Sequence, residues 1–481
     1  MTDLLIKNVA VPGAGNRPGE TKIVDISIDQ GVITSITPTN SSRVLPSEKI
    51  IEGERKLALP GLINAHSHSP LSAVKGAFDR LNHKAMLWAF QAYTAGRTSR
   101  EIYVSTLLNC IEMLKTGTTS VVDHFPEQLF TEEDVEAVVS AYRDSGMRVH
   151  IALRVFDEKY DDIFPENQLV DPRLQQDIRE KNPFHTLNAD KLINLCEGVM
   201  KTWNDTSKLI SLGPAPSNPI RCSDHLLIKT AELSETFNVP LHCHLLETNI
   251  QARLAHKKYG QNTIKHLDQL GFLTHRTSCA HTIWVDEEEI QILAERGTSV
   301  VHNPESNLRS GAGKAPIPKM LERGVNVAIG TDGTSSSGSQ ILQQAMKLAT
   351  IIHRDTEQET SKWISSEQAF VMGTHAGAIV LGKEENLGSI VVGSNADIVL
   401  YDLGEPAWTP INDPINQFVQ SENGSGVHTV LINGEIVLEN KKIKQFDETG
   451  ILAEAKALIP NAKIRNRELF SISDRMRGEV N

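Results

Sequence analysis

Residues 4–11, 22–28 and 32–38 mix β-branched and polar positions, partly in the two-residue alternation of a half-buried strand. Asp29-Gln30-Gly31, between the last two, predicts a hairpin turn. The same texture returns near the other end, at 388–392, 397–401 and 429–438. There Asn433-Gly434 separates two apolar runs, the signal of a type I′ hairpin. The middle reads differently. Short apolar strands are expected at 59–64, 120–123, 149–155, 209–213, 239–244, 277–281, 299–302 and 327–331. Helical patterns fall between them at 100–115, 133–145, 189–202, 223–237, 286–296 and 316–323. Eight strands is the number a (β/α)8 barrel needs. The expectation is an α/β chain: a barrel over 59–384, and a small β-sandwich domain assembled from 1–58 and 385–445. The remainder, 446–481, reads as a surface helix running into a charged, disordered stretch. The polar segment 157–185 reads as an elaborated barrel loop, and no internal repeat is visible.

Composition narrows the classes. With 40% hydrophobic and 22% charged residues in 481, the chain has ample material for a core. Its net charge of −12 disfavours nucleic acid and anionic membranes as partners. No run approaches the ~20 apolar residues of a membrane span, and the first residues do not read as a signal peptide. Five scattered cysteines without a C-x-x-C pair argue against a disulfide framework and against a Cys-based zinc site. The reading is a soluble cytoplasmic protein. The one notable count is 17 histidines.

Histidines and acids cluster where the expected strands end. His66 and His68 close the first, His242, His244 and Glu247 the fifth, His281 the sixth and Asp332 the eighth. In a barrel these ends converge on one mouth. A His-x-His on an extended strand puts both rings on one face. Two such ligands, a third His and a carboxylate can hold one divalent metal with a position left for water. His66, His68, His244 and Asp332 form that set. Any one of these histidines alone reads better as a core or surface residue, but four ligand types at matching strand ends make coincidence a poor account.

The segments Leu59-Pro-Gly-Leu-Ile-Asn-Ala-His-Ser-His68, His244-Leu-Leu-Glu247, Ala280-His281, His302-Asn-Pro-Glu-Ser-Asn307 and Gly330-Thr-Asp332-Gly resemble the amidohydrolase superfamily. The likeness is to its mononuclear branch of triazine hydrolases, S-adenosylhomocysteine deaminases and guanine or oxoguanine deaminases. It runs in order along nearly the whole chain. It implies a distorted barrel with one zinc, or iron, at its mouth, and assembly into a homo-oligomer. Asp332 would ligate the metal and take a proton from the attacking water. Glu247 would act as general acid and base. His281 would hydrogen-bond the attacking water or the oxyanion. Alternatives stand beside these roles: a helix-start carboxylate for Glu247, a further metal ligand for His281. His242 reads as a buttress for a ligand. No Lys or Glu ends the third or fourth strand to bridge a second metal, so one metal is expected.

The substrate is less legible. Asp123, His124, Arg154, Trp284, His302 and Asn307 are candidate substrate contacts. Asp123-His124 reads equally well as a capping Asp with an exposed His. Arg154 suits either a substrate carboxylate or a structural ion pair. His68-Ser-Pro70 through Lys75-Gly76 resembles the adenosine-type deaminases, whereas Pro214-Ala-Pro216 resembles the triazine hydrolases. The loop Thr331-Asp-Gly-Thr-Ser-Ser-Ser337-Gly338 lacks the Asn common in such relatives, and with it an amide that would order the loop. The expected reaction is hydrolysis of an exocyclic C–N bond on a nitrogen heterocycle. Alternatives are dechlorination of an s-triazine and hydrolysis of an amide, urea or carbamate. A non-catalytic scaffold of the same fold is disfavoured because the ligand set is intact.

Overall fold

The computed structural model describes residues 2–479, apart from 14–19, 40–46, 78, 80, 82, 127–128, 159–170, 184, 205–207 and 356–358. The start of the chain gives β1 (Thr2–Pro12), β2 (Thr21–Asp29), β3 (Val32–Pro38), β4 (Ser47–Glu52) and β5 (Lys56–Pro60). Then come two four-stranded parallel sheets. The first holds β6 (Leu62–Ser67), β7 (Thr118–Phe125), β8 (Arg148–Val155) and β9 (Ile210–Pro216) in that order. The second holds β10 (Leu241–Leu245), β11 (Thr277–His281), β12 (Ser299–His302) and β13 (Val327–Ile329). Finally β14 (Ile398–Asp402), β15 (Val427–Ile432), β16 (Glu435–Glu439) and β17 (Lys442–Ile443) join β5 and β1–β4 in one nine-stranded sheet.

The expected first strand, 59–64, is two strands. Residues up to Pro60 pair antiparallel with β14, and Leu62 onward pairs with β7. Gly61 makes the join because the backbone there runs against Thr119; a Cβ would lie 2.2 Å from its hydroxyl oxygen. Both sequence-read hairpins form. Gln30 and Gly31 at one tip, and Asn433 and Gly434 at the other, all have positive φ, as tight turns between twisted strands require. The tips touch: a Cβ on Gly434 would meet the Gly31 backbone at 2.9 Å. The expected strand at 388–392 does not form. Gly388 takes a positive φ against the backbone of His375, and the segment turns.

Helices cover the parallel sheets, several opened by side-chain caps. Thr98, Thr131, Thr248 and Asp286 each form a reciprocal capping box. Part of the 157–185 loop lies outside the described residues, but 172–181 is a helix (Pro172–Lys181). The stretch after 446, expected as a surface helix running into a disordered end, carries three helices that reach Glu479. Ile472 and Met476, one turn apart, are buried with Leu174, Ile178 and Trp88. Trp88 Nε1 donates to Leu469 O at 3.1 Å, and Asn466 caps the carbonyls of Ala92 and Ala95. These contacts clamp the His83–Thr94 helix, which the hydrophobic pattern did not reveal.

A buried ion pair ties the first parallel sheet to the residue that precedes β14 of the nine-stranded sheet. Arg148 at the start of β8 makes two hydrogen bonds to Asp397, at 3.1 and 3.0 Å. Asp397 also accepts from Asn433 N at 2.8 Å. Removing one partner of a buried pair strands the other charge, at a cost of about 3–5 kcal/mol. Asp397→Asn should therefore lower the unfolding free energy by that order, seen as a lower midpoint of denaturant unfolding. An unchanged midpoint would mean that the pair does not hold these two parts together.

Candidate metal centre and active site

Four imidazoles and two carboxylates meet where the parallel strands end. His66 and His68 leave β6, His244 leaves β10, His281 ends β11, and Asp332 follows β13. Each ring is oriented through its Nδ1. That of His68 donates to His124 O at 3.0 Å, and that of His244 to Ser217 O at 2.8 Å. That of His66 lies 2.8 Å from His242 Nε2, while His242 Nδ1 lies 2.7 Å from Ser278 Oγ. With the proton on Nδ1 of each ring, every Nε2 keeps its lone pair for the centre. His242 is thus the buttress that the sequence suggested.

The donor set fits a metal. His66 Nε2 is buried with no hydrogen-bond partner. His68 Nε2 and His244 Nε2 face each other at 3.2 Å. Two lone pairs at that distance repel unless a cation lies between them. Zn–N bonds of 2.0–2.1 Å in a tetrahedron put ligand nitrogens about 3.4 Å apart. Asp332 Oδ1 completes the set, 3.4 Å from His68 Nε2 and 3.7 Å from His66 Nε2. Ser306 Oγ at 2.5 Å and Gly333 N at 2.6 Å hold the Asp332 carboxylate. Burial drives the pKa of His66 and His244 well below the ordinary histidine value, with the neighbouring imidazoles acting in the same direction. Both rings therefore stay in the neutral, ligating form.

Glu247 sits beside this centre, its Oε1 4.0 Å from His281 Nε2. Its backbone N–H donates to Gln251 Oε1 at 2.8 Å, the same amide that closes the capping box on Thr248. His281 Nδ1 pairs with Asn307 Oδ1 at 2.7 Å, leaving Nε2 toward the cavity. His281, Thr282 and Asp332 all hold positive φ, and so does Leu246. For non-glycine residues that is a strained backbone, of order 1–3 kcal/mol each. It bends the chain so that the His281 and Asp332 side chains turn toward the cavity.

Asp332 is also locked from behind. Gln340 Nε2 donates to its carbonyl at 2.7 Å. Gln340 Oε1 accepts from Ser67 Oγ at 2.8 Å and Thr331 Oγ1 at 2.7 Å. Asn64 ties in through Thr331 N, and Asp332 N donates to His66 O at 2.9 Å. The amide absent from the 334–338 loop is thus supplied by Gln340, a position no local motif marks.

A cavity opens on the centre, touching His68, His244, Glu247, His281 and Asp332. Met86, Leu87, Phe90 and Gln91 of the His83–Thr94 helix form part of its wall, and Leu71, Asn218, Gln251 and Ser336 form others. Arg154 lines it, with Arg221 beside it. Both guanidinium groups lie over the Phe156 ring, at 5.8 and 3.9 Å, and both reach Ser217 Oγ.

The other candidate contacts do not border this cavity. Asp123 is fully buried, its oxygens engaged by Ser69 N and Tyr142 OH; burial raises its pKa. Asn307 serves His281 instead of a ligand. Trp284 is exposed and donates to Ala312 O. His302 and His124 are wholly buried.

The chain belongs to the amidohydrolase family: a sequence model of that family matches residues 57–437. It is 31% identical over 466 residues to 5′-deoxyadenosine deaminase of Methanosarcina mazei, covering 95% of this chain and 97% of that one. It is 33% identical over 414 residues to 5-methylthioadenosine/S-adenosylhomocysteine deaminase of Syntrophomonas wolfei, covering 85% and 88%. Two solved structures, each 25% identical, share the fold. One is an adenosine deaminase from Xanthomonas campestris with bound zinc, with a TM-score of 0.83 over 97% of this chain and 99% of that one. The other is atrazine chlorohydrolase TrzN from Arthrobacter aurescens TC1 complexed with zinc, with a TM-score of 0.84 over 95% and 100%.

Two outcomes follow for the site. Burial drives His150, His242 and His302 down to about 3. Unfolded, each would take up a proton near pH 6.5. Their contribution to stability is therefore complete above about pH 6.5 and falls away as pH drops from there toward 3. The Tm of metal-free protein should decline steadily below pH 6.5, and a flat profile down to pH 4.5 would refute this. Gln340→Ala should weaken zinc binding roughly 10–100-fold, as loss of a group that orients a ligand does. Chelator competition reads that directly, and an unchanged affinity would remove Gln340 from the account.

Proposed function

We propose that this chain is a zinc-dependent deaminase that replaces the exocyclic amino group of an adenosine-type heterocycle with oxygen from water. The observation that carries this is the meeting of three converging imidazole nitrogens, a held carboxylate and a second acid, Glu247, at one cavity. The deaminase names of the relatives agree with it. The finer architecture we infer is a closed, distorted barrel over 59–384. Its support is that β9 lies beside β10 and β13 beside β6, so the two parallel sheets adjoin at both seams. The nine-stranded sheet supports a β-sandwich domain built from 1–58 and 385–445, with 446–481 as a helical appendage. Five unpaired cysteines fit a cytoplasmic setting.

Bound zinc supplies Lewis acidity that brings water's pKa to near neutrality. The residues then handle protons. Asp332, anchored by Ser306 and Gly333, takes a proton from the attacking water. Glu247 gives a proton to the ring nitrogen, which lets the adjacent carbon accept the oxygen, then takes that oxygen's remaining proton and passes it to the departing amine; the proton held by Asp332 returns to Glu247 to close the cycle. His281, set by Asn307, hydrogen-bonds the attacking oxygen from its Nε2. Water and the amine go in, and the oxo compound and ammonia come out. Arg154 and Arg221 give the cavity a cationic wall suited to an electron-rich or anionic substituent.

Ammonia release should be seen with at least one of 5′-deoxyadenosine, 5′-methylthioadenosine and S-adenosylhomocysteine. Glu247→Gln should lower kcat about 10²–10⁴-fold while zinc content stays the same. Chloride release from an s-triazine without ammonia from any heteroaromatic amine would turn the reading to dechlorination. No turnover of either kind by zinc-loaded protein would end it.

A further inference from the structure

The His83–Thr94 helix gives the cavity one face, with Met86, Leu87, Phe90 and Gln91. Ala85, Trp88, Ala89 and Ala92, at helical spacing, are buried on another. The helix packs against the Ser69–Val74 turn and against two helices from the end of the chain, Asn461–Arg465 and Arg467–Glu479. One apolar cluster joins these parts: Leu71 and Val74 from the turn, Met86, Trp88 and Phe90 from the helix, Ile472 and Met476 from the last helix. None of its described members comes from a strand. This wall of the cavity is therefore seated on the end of the chain. Leu71 links it to the reacting end, since a Cβ on Gly333, next to Asp332, would lie 2.8 Å from Leu71 Cδ1.

The seat is polar as well as apolar. The last carbonyls of a helix have no partner within it. Here Asn466 Nδ2 donates to Ala92 O at 3.1 Å and to Ala95 O at 2.8 Å, and Arg465 Nε donates to Ala95 O at 3.1 Å. Trp88 Nε1 donates to Leu469 O at 3.1 Å from the buried face. A helix held at its end and at one point of its buried face can neither slide nor roll, so the side chains it turns to the cavity keep fixed positions. Arg475, on the last helix, binds Asp171 and Asp177. The end of the chain thus bridges the segment after β6 and the segment after β8.

We propose that the C-terminal helices set the affinity of the cavity for its substrate, with Asn466 and Trp88 as positioning residues that hold the Met86–Gln91 wall against the bound molecule. Neither residue lines the cavity. Met86, Leu87 and Phe90 present apolar surface, so what they grip is the flat or alkyl part of the substrate and not its charged groups. The proposal rests on the deaminase reading for the choice of substrate. The wall holds no proton donor or metal ligand, so it grips the ground state and the transition state alike. Its loss then raises KM and leaves kcat in place.

The test uses the full-length, zinc-loaded protein and whichever of 5′-deoxyadenosine, 5′-methylthioadenosine and S-adenosylhomocysteine it deaminates. Asn466→Ala and Trp88→Phe should each raise KM roughly tenfold, the scale of one apolar contact in a pocket. Their kcat and zinc content should stay as in the wild type. Amide hydrogen exchange across residues 83–94 should quicken, while exchange across β10 and β11 does not change. Phe90→Ala, which cuts into the wall itself, should raise KM as well, and adding Asn466→Ala to it should raise KM little further. A lower kcat at unchanged KM overturns the proposal and leaves the deaminase reading standing. So does quickened exchange with unchanged KM, because the clamp then serves stability alone. So do additive effects of Phe90→Ala and Asn466→Ala, because Asn466 then acts elsewhere. A wild type that deaminates none of the three substrates removes the functional reading and this proposal with it.

Discussion

An imidazole offers two nitrogens, and this site depends on occupying one so that the other has a single direction to face. Backbone carbonyls of residues 124 and 217 take the Nδ1 protons of His68 and His244, and His242 takes that of His66. Three lone pairs then converge in a space from which water is largely excluded. Left empty, the arrangement is electrostatically unfavourable; filled by a divalent cation, it is strongly favourable. The surrounding fold can be understood as the apparatus that keeps those nitrogens from turning away.

That apparatus works through the seam between the first and last parallel strands. Asn64, Ser67, Thr331 and Gln340 share a closed set of hydrogen bonds behind His66 and Asp332. The set is fully buried, so its members cannot exchange partners with solvent. It also holds Asp332 in a left-handed backbone conformation that a lone residue would abandon. Precision at the metal is thus derived from polar contacts that never touch it.

The ligand set was legible because strand ends and His-x-His spacing are local signals, and the fold collects such ends on one side. His66, His68, His244, Glu247, His281 and Asp332 could be named on that ground. Hairpin tips were equally legible, since positive φ at Asn433-Gly434 and Gln30-Gly31 is a property of the turn residues themselves. What the sequence could not show was anything decided at a distance. Tyr142, on a helix behind Asp123, donates to its second oxygen. Gln340 carries no motif; its importance comes from a strand more than 250 residues earlier in the chain. The His83–Thr94 helix was missed because it is apolar on two sides. One lines the cavity, and the other meets residues from the end of the chain.

The nine-stranded sheet has a bearing on the order in which the molecule can be built. Its first five strands emerge at the outset of synthesis, but β14, the partner of β5, arrives only after every strand of the two parallel sheets has been made. Until then the free edge of β5 is an open template, and the Arg148 guanidinium has no carboxylate to meet. Contacts so distant in sequence form slowly. The nascent chain must therefore carry an unfinished sheet through most of its translation. Its last helices then close against a wall of the cavity, so the catalytic pocket is among the final parts to acquire its shape.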